Sequence, residues 1–436
     1  MSTELSRRQL LAWSGGAALL GLTACGNGSP QSGSSVGSES DPTELRFTWW
    51  GAAASHERQQ GAIDAVTEAA PHLTFRTEFT TGDAYFDRLT TQVAGGNAPD
   101  IMSMTWANLT EYAQRGVLEP LDEYSPEYIN LEDMDQEFLE TGRIDGELYG
   151  IGRGATIPSV QIDATMLEEA GIDLPPSDNN WRWEDMAAYA TQIHDTVGGE
   201  YYGSEDASAE YNTMHVYMRS KGHSLYEGAQ LGFPKEALVE WFTLWADMRE
   251  SGGCVPPNIQ VAYNSGLESS PLIRGYSAML WLNHDTLMNY AGITDHAVVA
   301  GLPPLEGTKA LFAMPASILC VSAQSEYKAA AAEAVGILVS DLGVSEVYGL
   351  ESGPPPSQSL VELIRAGELT DAETRVLDYT DLASQYSQQA PPSPPLGSAD
   401  VASLLTRVSE DIAFGRVDIG TGVDTFFTEA GRALSA

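Results

Sequence analysis

The strongest constraint on the fold is a repeated pairing of a short apolar strand with a helix that follows it. In residues 45–51, Leu-Arg-Phe-Thr-Trp-Trp-Gly, the side chains alternate with the period of two that a strand requires, and a helical pattern starts near Ser55. Such pairs recur along the chain, which favours parallel strands covered by helices. The chain has 436 residues, 43% of them hydrophobic, enough for two lobes. The sequence therefore predicts an α/β fold.

Large aromatic and small polar residues stand where predicted strands end. The carboxyl ends of strands in an open α/β sheet border the ligand crevice. Trp49 and Trp50 point to opposite faces of the first strand, so one of them is expected to face outward, and Trp50 is the first candidate. Such rings either fill the core or stack on a ligand whose polar groups are bonded by Asn, Asp and Thr. The candidates at strand ends are Trp50, Thr105, Trp106, Trp281, Asn283 and Asp285.

The first 42 residues are predicted to be an export signal and a tether rather than part of the fold. Arg7 and Arg8 precede an apolar run, residues 10–22, that is too short to span a bilayer comfortably. The run ends at Leu-Thr-Ala-Cys, which resembles the bacterial lipoprotein box. Residues 1–25 are therefore predicted to be a signal peptide, with Cys25 lipidated, and the Gly/Ser-rich residues 26–42 a flexible tether. The body is expected on the outer face of the plasma membrane, with twin-arginine export as one route.

Charge and motifs exclude several classes of function. Sixty-one Asp and Glu oppose 22 Lys and Arg, a net charge of -39 that repels nucleic acid and anionic lipid. The sequence has no Cys-x-x-Cys, His-Glu-x-x-His or P-loop motif, and its Gly-x-Ser-x-Gly match, residues 33–37, lies in the predicted tether and not between a strand and a helix, so no metal, cofactor or catalytic residue is predicted. Cys254 and Cys320 could pair as a disulfide or remain two buried thiols, and the sequence leaves both open.

An ordered set of segments carries a family resemblance over nearly the whole chain. The segments are residues 47–51 (FTWWG), 89–102 (LTTQVAGGNAPDIM), 118–121 (LEPL), 148–151 (LYGI), 166–171 (MLEEAG), 275–279 (GYSAM) and 353–357 (GPPPS). Together they resemble an extracellular solute-binding lipoprotein of a bacterial ABC sugar importer, in the carbohydrate-binding family that includes maltose-binding protein.

The resemblance implies a two-lobed, periplasmic-binding-protein-like fold with a ligand cleft between the lobes. The N-terminal lobe would comprise residues 43–154 and 309–345, and the C-terminal lobe residues 155–308 and 346–436. Such a monomer would close on a sugar like a hinge and deliver it to membrane permease subunits, without catalysis. The resemblance adds Thr156, Ser352 and Gly353 to the candidate ligand contacts.

The sequence departs from similar family members at several ligand positions. Those relatives tend to carry Arg, Asp, Trp and Arg where this chain has Ser55, Thr105, Asn283 and Ser352. Without those arginines an acidic sugar lacks partners for its carboxylate, so a neutral mono- or oligosaccharide is expected. Two alternatives stay open: a non-sugar solute, and a secreted enzyme that acts on glycans through a pair of carboxylates.

Overall fold

The computed structural model describes residues 36–51, 53–80, 83–263 and 266–435. The predicted signal peptide, with Cys25, and residues 26–35 of the predicted tether lie outside them. Residues 36–42 are folded onto the body rather than free: Ser38 and Asp41 exchange backbone hydrogen bonds of 3.0 and 2.9 Å, and the Gly37 N–H donates to Thr43 Oγ1 at 3.0 Å. Among the described residues, no helix is long and apolar enough to cross a membrane.

Strands and helices alternate through the described residues, as the sequence predicts. The strands are β1 Thr43–Trp50, β2 Leu73–Thr80, β3 Ile101–Met104, β4 Arg143–Ile144, β5 Glu147–Leu148, β6 Ile151–Gly152, β7 Ala155–Thr156, β8 Pro158–Asp163, β9 Tyr202–Ser204, β10 Ser277–Asn283, β11 Val298–Gly301, β12 Met314–Pro315 and β13 Ile318–Val321. The helices are α1 Ala53–Ala69, α2 Asp83–Ala94, α3 Trp106–Gln114, α4 Gln136–Leu139, α5 Ala164–Glu169, α6 Trp183–Val197, α7 Tyr211–Ser220, α8 Lys235–Ser251, α9 Pro257–Gln260, α10 Lys328–Ser340, α11 Leu342–Tyr348, α12 Gln358–Ala366, α13 Asp371–Ser384, α14 Ser398–Ala413 and α15 Ile419–Ala433.

The first sheet has the strand order β2-β1-β3-β13-β6, and we call the part of the molecule built on it the N-lobe. Strand β1 is parallel to β2 and β3, as the strand–helix rhythm predicts. Strand β13 runs antiparallel to β3, so the expectation of wholly parallel pairing is wrong here. Ile318 pairs with Met104, which shows that the chain re-enters this sheet at the edge where β3 ends.

The second sheet has the order β11-β8-β10-β9 and forms the C-lobe. Strand β8 is antiparallel to both β10 and β11, whereas β9 and β10 are parallel. Asn283, the last residue of β10, pairs with Pro158, the first residue of β8. The entry of the chain into this sheet and the carboxyl end of β10 therefore share one edge.

A long amphipathic helix supplies much of the C-lobe core. The periodicity predicts a helix over residues 235–251, and the structure has it at Lys235–Ser251. Its apolar stripe is almost completely buried, which confirms the prediction that it is core: Leu238, Trp241, Phe242, Trp245 and Met248. Cys254 belongs to this core and Cys320 to strand β13 of the N-lobe, and both are buried free thiols.

Three segments, which we call the crossings, join the lobes: residues 153–157, 302–317 and 349–357. In the first two, β7 and β12 pair as an antiparallel ribbon. In the third, Tyr348 packs on the N-lobe core, whereas Leu350 belongs to a hydrophobic cluster of the C-lobe. Gly353 has φ +76°, and a Cβ there would overlap the carbonyl of Ala155. The first and third crossings are therefore in direct backbone contact.

Candidate ligand site between the lobes

The edges of the two sheets that face each other carry most of the predicted ligand contacts. On the N-lobe side, Trp50 ends β1, and Thr105 caps helix α3 directly after β3. On the C-lobe side, Asn283 ends β10 and is followed by the 3₁₀ turn His284–Asn289, which contains Asp285. The first crossing joins these edges, because it leaves β6 at Gly152 and enters β8 at Pro158.

Trp50 and Trp49 divide between surface and core as their alternation predicts. Trp49 is 3% exposed, and its ring stacks on His56 at a centroid distance of 5.5 Å. Trp50 is half-buried and leans on Tyr85 and Phe86, at 5.2 and 5.6 Å between centroids. Trp50 is thus the partly accessible ring of the pair.

The prediction that Trp281 contacts the ligand is wrong. Its side chain is 1% exposed, its ring stacks on Trp183 at 5.6 Å, and its Nε1–H donates to Ser204 Oγ at 2.8 Å. Strand β10 lies inside a sheet with apolar clusters on both faces, so side chains of either parity are buried along its first five residues. The alternation of side chains along this strand therefore does not distinguish a buried face from an exposed one.

Arg58 connects both lobes with the third crossing. Its guanidinium donates to both carboxylate oxygens of Glu351, at 2.7 and 3.1 Å, and to Asn289 Oδ1 at 2.8 Å. The Ser55 hydroxyl also donates to Glu351. The hydrogen bond to Glu351 raises the pKa of Arg58, which keeps this group charged. A helix of the N-lobe, a crossing and a turn of the C-lobe thus meet at the guanidinium of Arg58.

A second arginine, Arg153, is buried inside the first crossing. It is 5% exposed, it donates through Nη1 to Gln59 Oε1, and its guanidinium lies 3.5 Å from the centre of the Tyr348 ring. Its Nη2 and the Nε2 of Gln59 are buried and have no partner among the described residues. Burial lowers the pKa of Arg153. Arg58 and Arg153 thus lie in or beside the crossings, although the family positions occupied by Ser55 and Ser352 carry no arginine.

The remaining predicted contacts lie within the crossings. Thr156 is 1% exposed and donates its hydroxyl to Asp285. Burial raises the pKa of Asp285 to about 6. Ser352 Oγ lies 3.0 Å from the Tyr348 hydroxyl, and Gly353 contributes only backbone. These residues hold the crossings together, and their contact with a ligand stays a prediction.

A cavity of about 600 Å³, between Phe138 and Thr380, is lined by both lobes. A smaller cavity, of about 340 Å³, also takes its walls from both lobes, and we call it the Trp106 pocket. The N-lobe contributes Trp106, whose Nε1–H donates to the Thr141 carbonyl at 3.0 Å and to Ser393 Oγ at 3.2 Å. The other lining residues are Tyr211, Asn212, His215 and Arg219 of α7, Ser224, Leu225, Tyr226 and Gly228 of the loop after it, and the proline-rich residues 391–395. Burial lowers the pKa of His215 to about 3, so this imidazole is neutral at physiological pH.

Comparison with known proteins identifies the family. The sequence profile of the bacterial extracellular solute-binding proteins matches residues 61–371. The chain belongs to this family.

Two curated relatives match part of the chain. A binding protein of Brucella abortus (strain 2308) is 28% identical over 187 residues, which are 42% of this chain and 43% of that protein. An uncharacterized lipoprotein of Streptomyces antibioticus is 26% identical over 223 residues, 48% of this chain and 45% of that one. The chain thus spans less than half the length of these curated relatives.

Solved structures of similar solute-binding proteins show the same two-lobed α/β fold. A periplasmic oligogalacturonide binding protein of Yersinia enterocolitica, in complex with saturated digalacturonic acid, has a TM-score of 0.79 at 24% identity, covering 90% of this chain and 98% of that one. An ABC substrate-binding protein of Listeria monocytogenes, in complex with cycloalternan, has a TM-score of 0.76 at 16% identity, covering 91% and 100%. At these identities the likeness shows the fold alone.

Sequence reasoning missed several residues of this solute-binding protein's cleft. Arg58 and Arg153 are not at the family positions that carry an arginine, which are Ser55 and Ser352 in this chain. Only the fold brings Arg58 to Glu351 and Arg153 to Tyr348. The C-lobe wall, with Tyr211 and Asn212, follows strand β9, which has three residues and no clear alternation. The Tyr-Gly-Ser sequence of β9, followed by a helix that begins at Tyr211, is a signal that could have indicated a strand end here. Among the described residues, no three His, Cys, Asp or Glu side chains are grouped for a metal ion.

Proposed function

We propose that this protein captures a sugar between its lobes and delivers it to the membrane subunits of an ABC importer. The observation that carries the proposal is the Trp106 pocket, because its walls come from both lobes and include Trp106, which begins the helix that follows β3. Its volume of about 340 Å³ falls in the range of small-molecule sites. Further support comes from the similar Yersinia and Listeria proteins, which were solved with saccharide ligands.

The lining of the pocket suits a pyranose ring. Trp106, Tyr211 and Tyr226 offer aromatic faces for the apolar C–H faces of a sugar. Asn212 offers an amide donor and acceptor for hydroxyl groups. Trp106 is fixed by its two hydrogen bonds, so its ring is preorganised and loses little conformational entropy when a ligand binds.

Binding is proposed to couple to hinge motion at the crossings. The lobe limits that we propose are residues 43–154 with 309–345, and 155–308 with 346–436. The hydrophobic clusters support most of these limits, since Leu45 to Ile151 and Leu319 to Val344 share one core, while Ile157 to Leu305 and Tyr379 to Leu434 share another. Two residues beside the limits are exceptions, because Leu311 packs in the C-lobe core and Tyr348 on the N-lobe core. Asp285 and Glu351 are engaged by Thr156, Ser55 and Arg58, an arrangement that ties elements together rather than one that catalyses hydrolysis.

We further propose that the protein works as a monomer attached by Cys25 to the outer face of the plasma membrane. The lipoprotein box and the twin-arginine pair of the sequence support this, as does the Streptomyces antibioticus relative, which is named a lipoprotein. The permease subunits would then receive the sugar directly from the tethered body.

A thermal-shift screen of the chain from residue 36 onward tests the proposed function. A sugar at about one hundred times its dissociation constant is expected to add roughly 2.7 kcal/mol of stability. The variant W106A is expected to lose this shift, whereas Y327A, which truncates an exposed aromatic ring of the N-lobe, is expected to keep it. A shift with amino acids or polyols but with no sugar would overturn the proposal. Consumption of the sugar during the assay would identify an enzyme instead.

A further inference from the structure

The charge around the Trp106 pocket differs from that of the chain as a whole. The protein carries 61 Asp and Glu and a net charge of -39. Among the described residues, however, none of those lining the pocket is an Asp or a Glu, and the one cation there is Arg219. His215, on the same face of α7, is neutral because burial lowers its pKa to about 3. The pocket is therefore locally positive on a strongly acidic molecule.

Arg219 is held in place but has no anionic partner. Its Nε–H donates to the Ala310 carbonyl at 2.9 Å, and its guanidinium carbon lies 4.9 Å from the centre of the Phe312 ring. Neither Nη atom has a hydrogen-bond partner among the described residues. Two other partly buried arginines, by contrast, have a carboxylate partner: Arg58 pairs with Glu351 and Arg249 with Asp206.

This arrangement leaves the outer edge of the guanidinium free for a ligand. One backbone bond and one aromatic face fix the plane of the group, and the two Nη atoms then present a fork that matches the two oxygens of a carboxylate. Burial lowers the pKa of Arg219, and no carboxylate among the described residues pairs with its guanidinium. A ligand carboxylate would supply such a partner away from bulk water, where an ion pair is stronger.

We propose that the Trp106 pocket selects an acidic sugar, a uronate whose carboxylate pairs with Arg219 while its ring packs on Trp106 and Tyr211. This inference rests on the proposed function and specifies its substrate class. It replaces the expectation of a neutral sugar, which depended on the arginines missing at the family positions of Ser55 and Ser352. The similar Yersinia protein was solved with digalacturonic acid, a ligand of this chemical class.

Isothermal titration with ligands that differ at one group tests the proposal without altering the protein. The probes are D-galacturonate and D-glucuronate, their methyl esters, and D-galactose and D-glucose, each also as the disaccharide. At least one uronate is expected to bind 10-fold or more tightly than its ester or its neutral counterpart. Added salt is expected to weaken uronate binding more than neutral-sugar binding, because salt screens the ion pair.

Variants of Arg219 assign the effect to this residue. R219Q is expected to lower uronate affinity 30-fold or more and to change neutral-sugar affinity less than 3-fold, and R219K to lie between, because it keeps the charge but not the fork. R182Q removes an exposed arginine of the same lobe and is expected to change neither affinity. Circular dichroism checks that each variant is folded. If R219Q does not fold, the comparison of each uronate with its methyl ester on the unaltered protein still tests whether the pocket selects a carboxylate.

The outcomes separate the two proposals. Tight binding of a neutral sugar with no preference for uronates overturns this inference and leaves the proposed function intact. Tight binding of a uronate that is unchanged in R219Q overturns the role of Arg219. Binding of a non-sugar solute, with no response to any sugar, overturns the proposed function itself.

Discussion

At the scale of single residues, the crossings are held by pairs whose members are far apart in the sequence. Arg58 and Glu351 are separated by 293 positions and Thr156 and Asp285 by 129. Neither pair belongs to a local motif, so no pattern in the sequence joins its members. The first pair joins an N-lobe helix to the third crossing, and the second joins the first crossing to the C-lobe turn after β10. Their energetic effect can be measured one residue at a time.

Removing the charge of Glu351 is expected to destabilise the protein. In E351Q, Arg58 loses a bidentate partner, and the free energy of unfolding should fall by about 2 kcal/mol, less than the roughly 3–5 kcal/mol of a fully buried pair because the Arg58 side chain is 33% exposed. Urea denaturation measures the change. E346Q, an exposed glutamate on the neighbouring helix α11, should change stability by no more than about 0.5 kcal/mol. Equal effects of the two variants would contradict this role.

The buried carboxyl of Asp285 is expected to make stability depend on pH. Burial raises its pKa in the folded state from 3.8 to about 6, so the folded protein binds this proton more tightly than the unfolded chain does. Its contribution is therefore full below about pH 4 and is lost as the pH rises through 6, a loss of about 3 kcal/mol. D285N should remove this slope, measured as unfolding free energy from pH 4 to 8, while D378N, an exposed aspartate of α13, should retain it.

At the scale of elements, the sequence is informative wherever one period persists over several turns. Helix α8 is predicted with its observed ends, because its stripe runs unbroken between Pro234 and Gly252. The end of β1 is predicted because a helix follows at once. Which face of β10 is exposed cannot be predicted from its alternation, because apolar clusters cover both sides of that sheet and Trp281 is as buried as Leu280. The Trp106 pocket could be predicted only through Trp106, since its other wall follows a three-residue strand.

The contact between the first and third crossings depends on Gly353. In G353A the new methyl group would overlap the Ala155 carbonyl and the φ of +76° would be strained, so stability is expected to fall by about 3 kcal/mol or more. Sugar affinity should fall as well, because the crossings set the spacing of the lobes. Thermal unfolding and titration measure both effects.

Gly171 is the matched control for that substitution. It has φ +68° and nothing within 4 Å of an added Cβ, so G171A measures the backbone strain alone, about 1 kcal/mol. If G353A costs no more than G171A, the two crossings are not in the close contact described above.

At the scale of the whole molecule, repulsion among carboxylates opposes folding. The net charge of -39 is spread over a surface with few positive partners. Glu210, which borders a C-lobe cavity, adds to the effect, because burial raises its pKa to about 7. A raised pKa means that stability is lost as the pH rises through that value. Neutral and alkaline solutions of low ionic strength are thus the least favourable conditions for this fold.

Salt is therefore expected to stabilise the protein strongly. Raising NaCl from roughly 0.05 M to about 1 M shortens the screening length to about 3 Å and should raise the melting temperature by roughly 5 °C at pH 7.5. The same change at pH 4.5, where many carboxylates are protonated, should give a smaller rise. An equal rise at both pH values would indicate a general salt effect on hydrophobic burial instead of charge screening.

The return of β13 to the N-lobe sheet has a consequence for how the protein is made. Strand β3 needs β13 as its neighbour, yet residues 318–321 leave the ribosome only after the first part of the C-lobe has been synthesised. Until then the nascent chain carries an open sheet edge beside Met102 and Met104, which is a site for mispairing between chains. A fragment that ends before residue 318 would therefore lack the strand that lies between β3 and β6 and would keep this edge of the sheet unpaired.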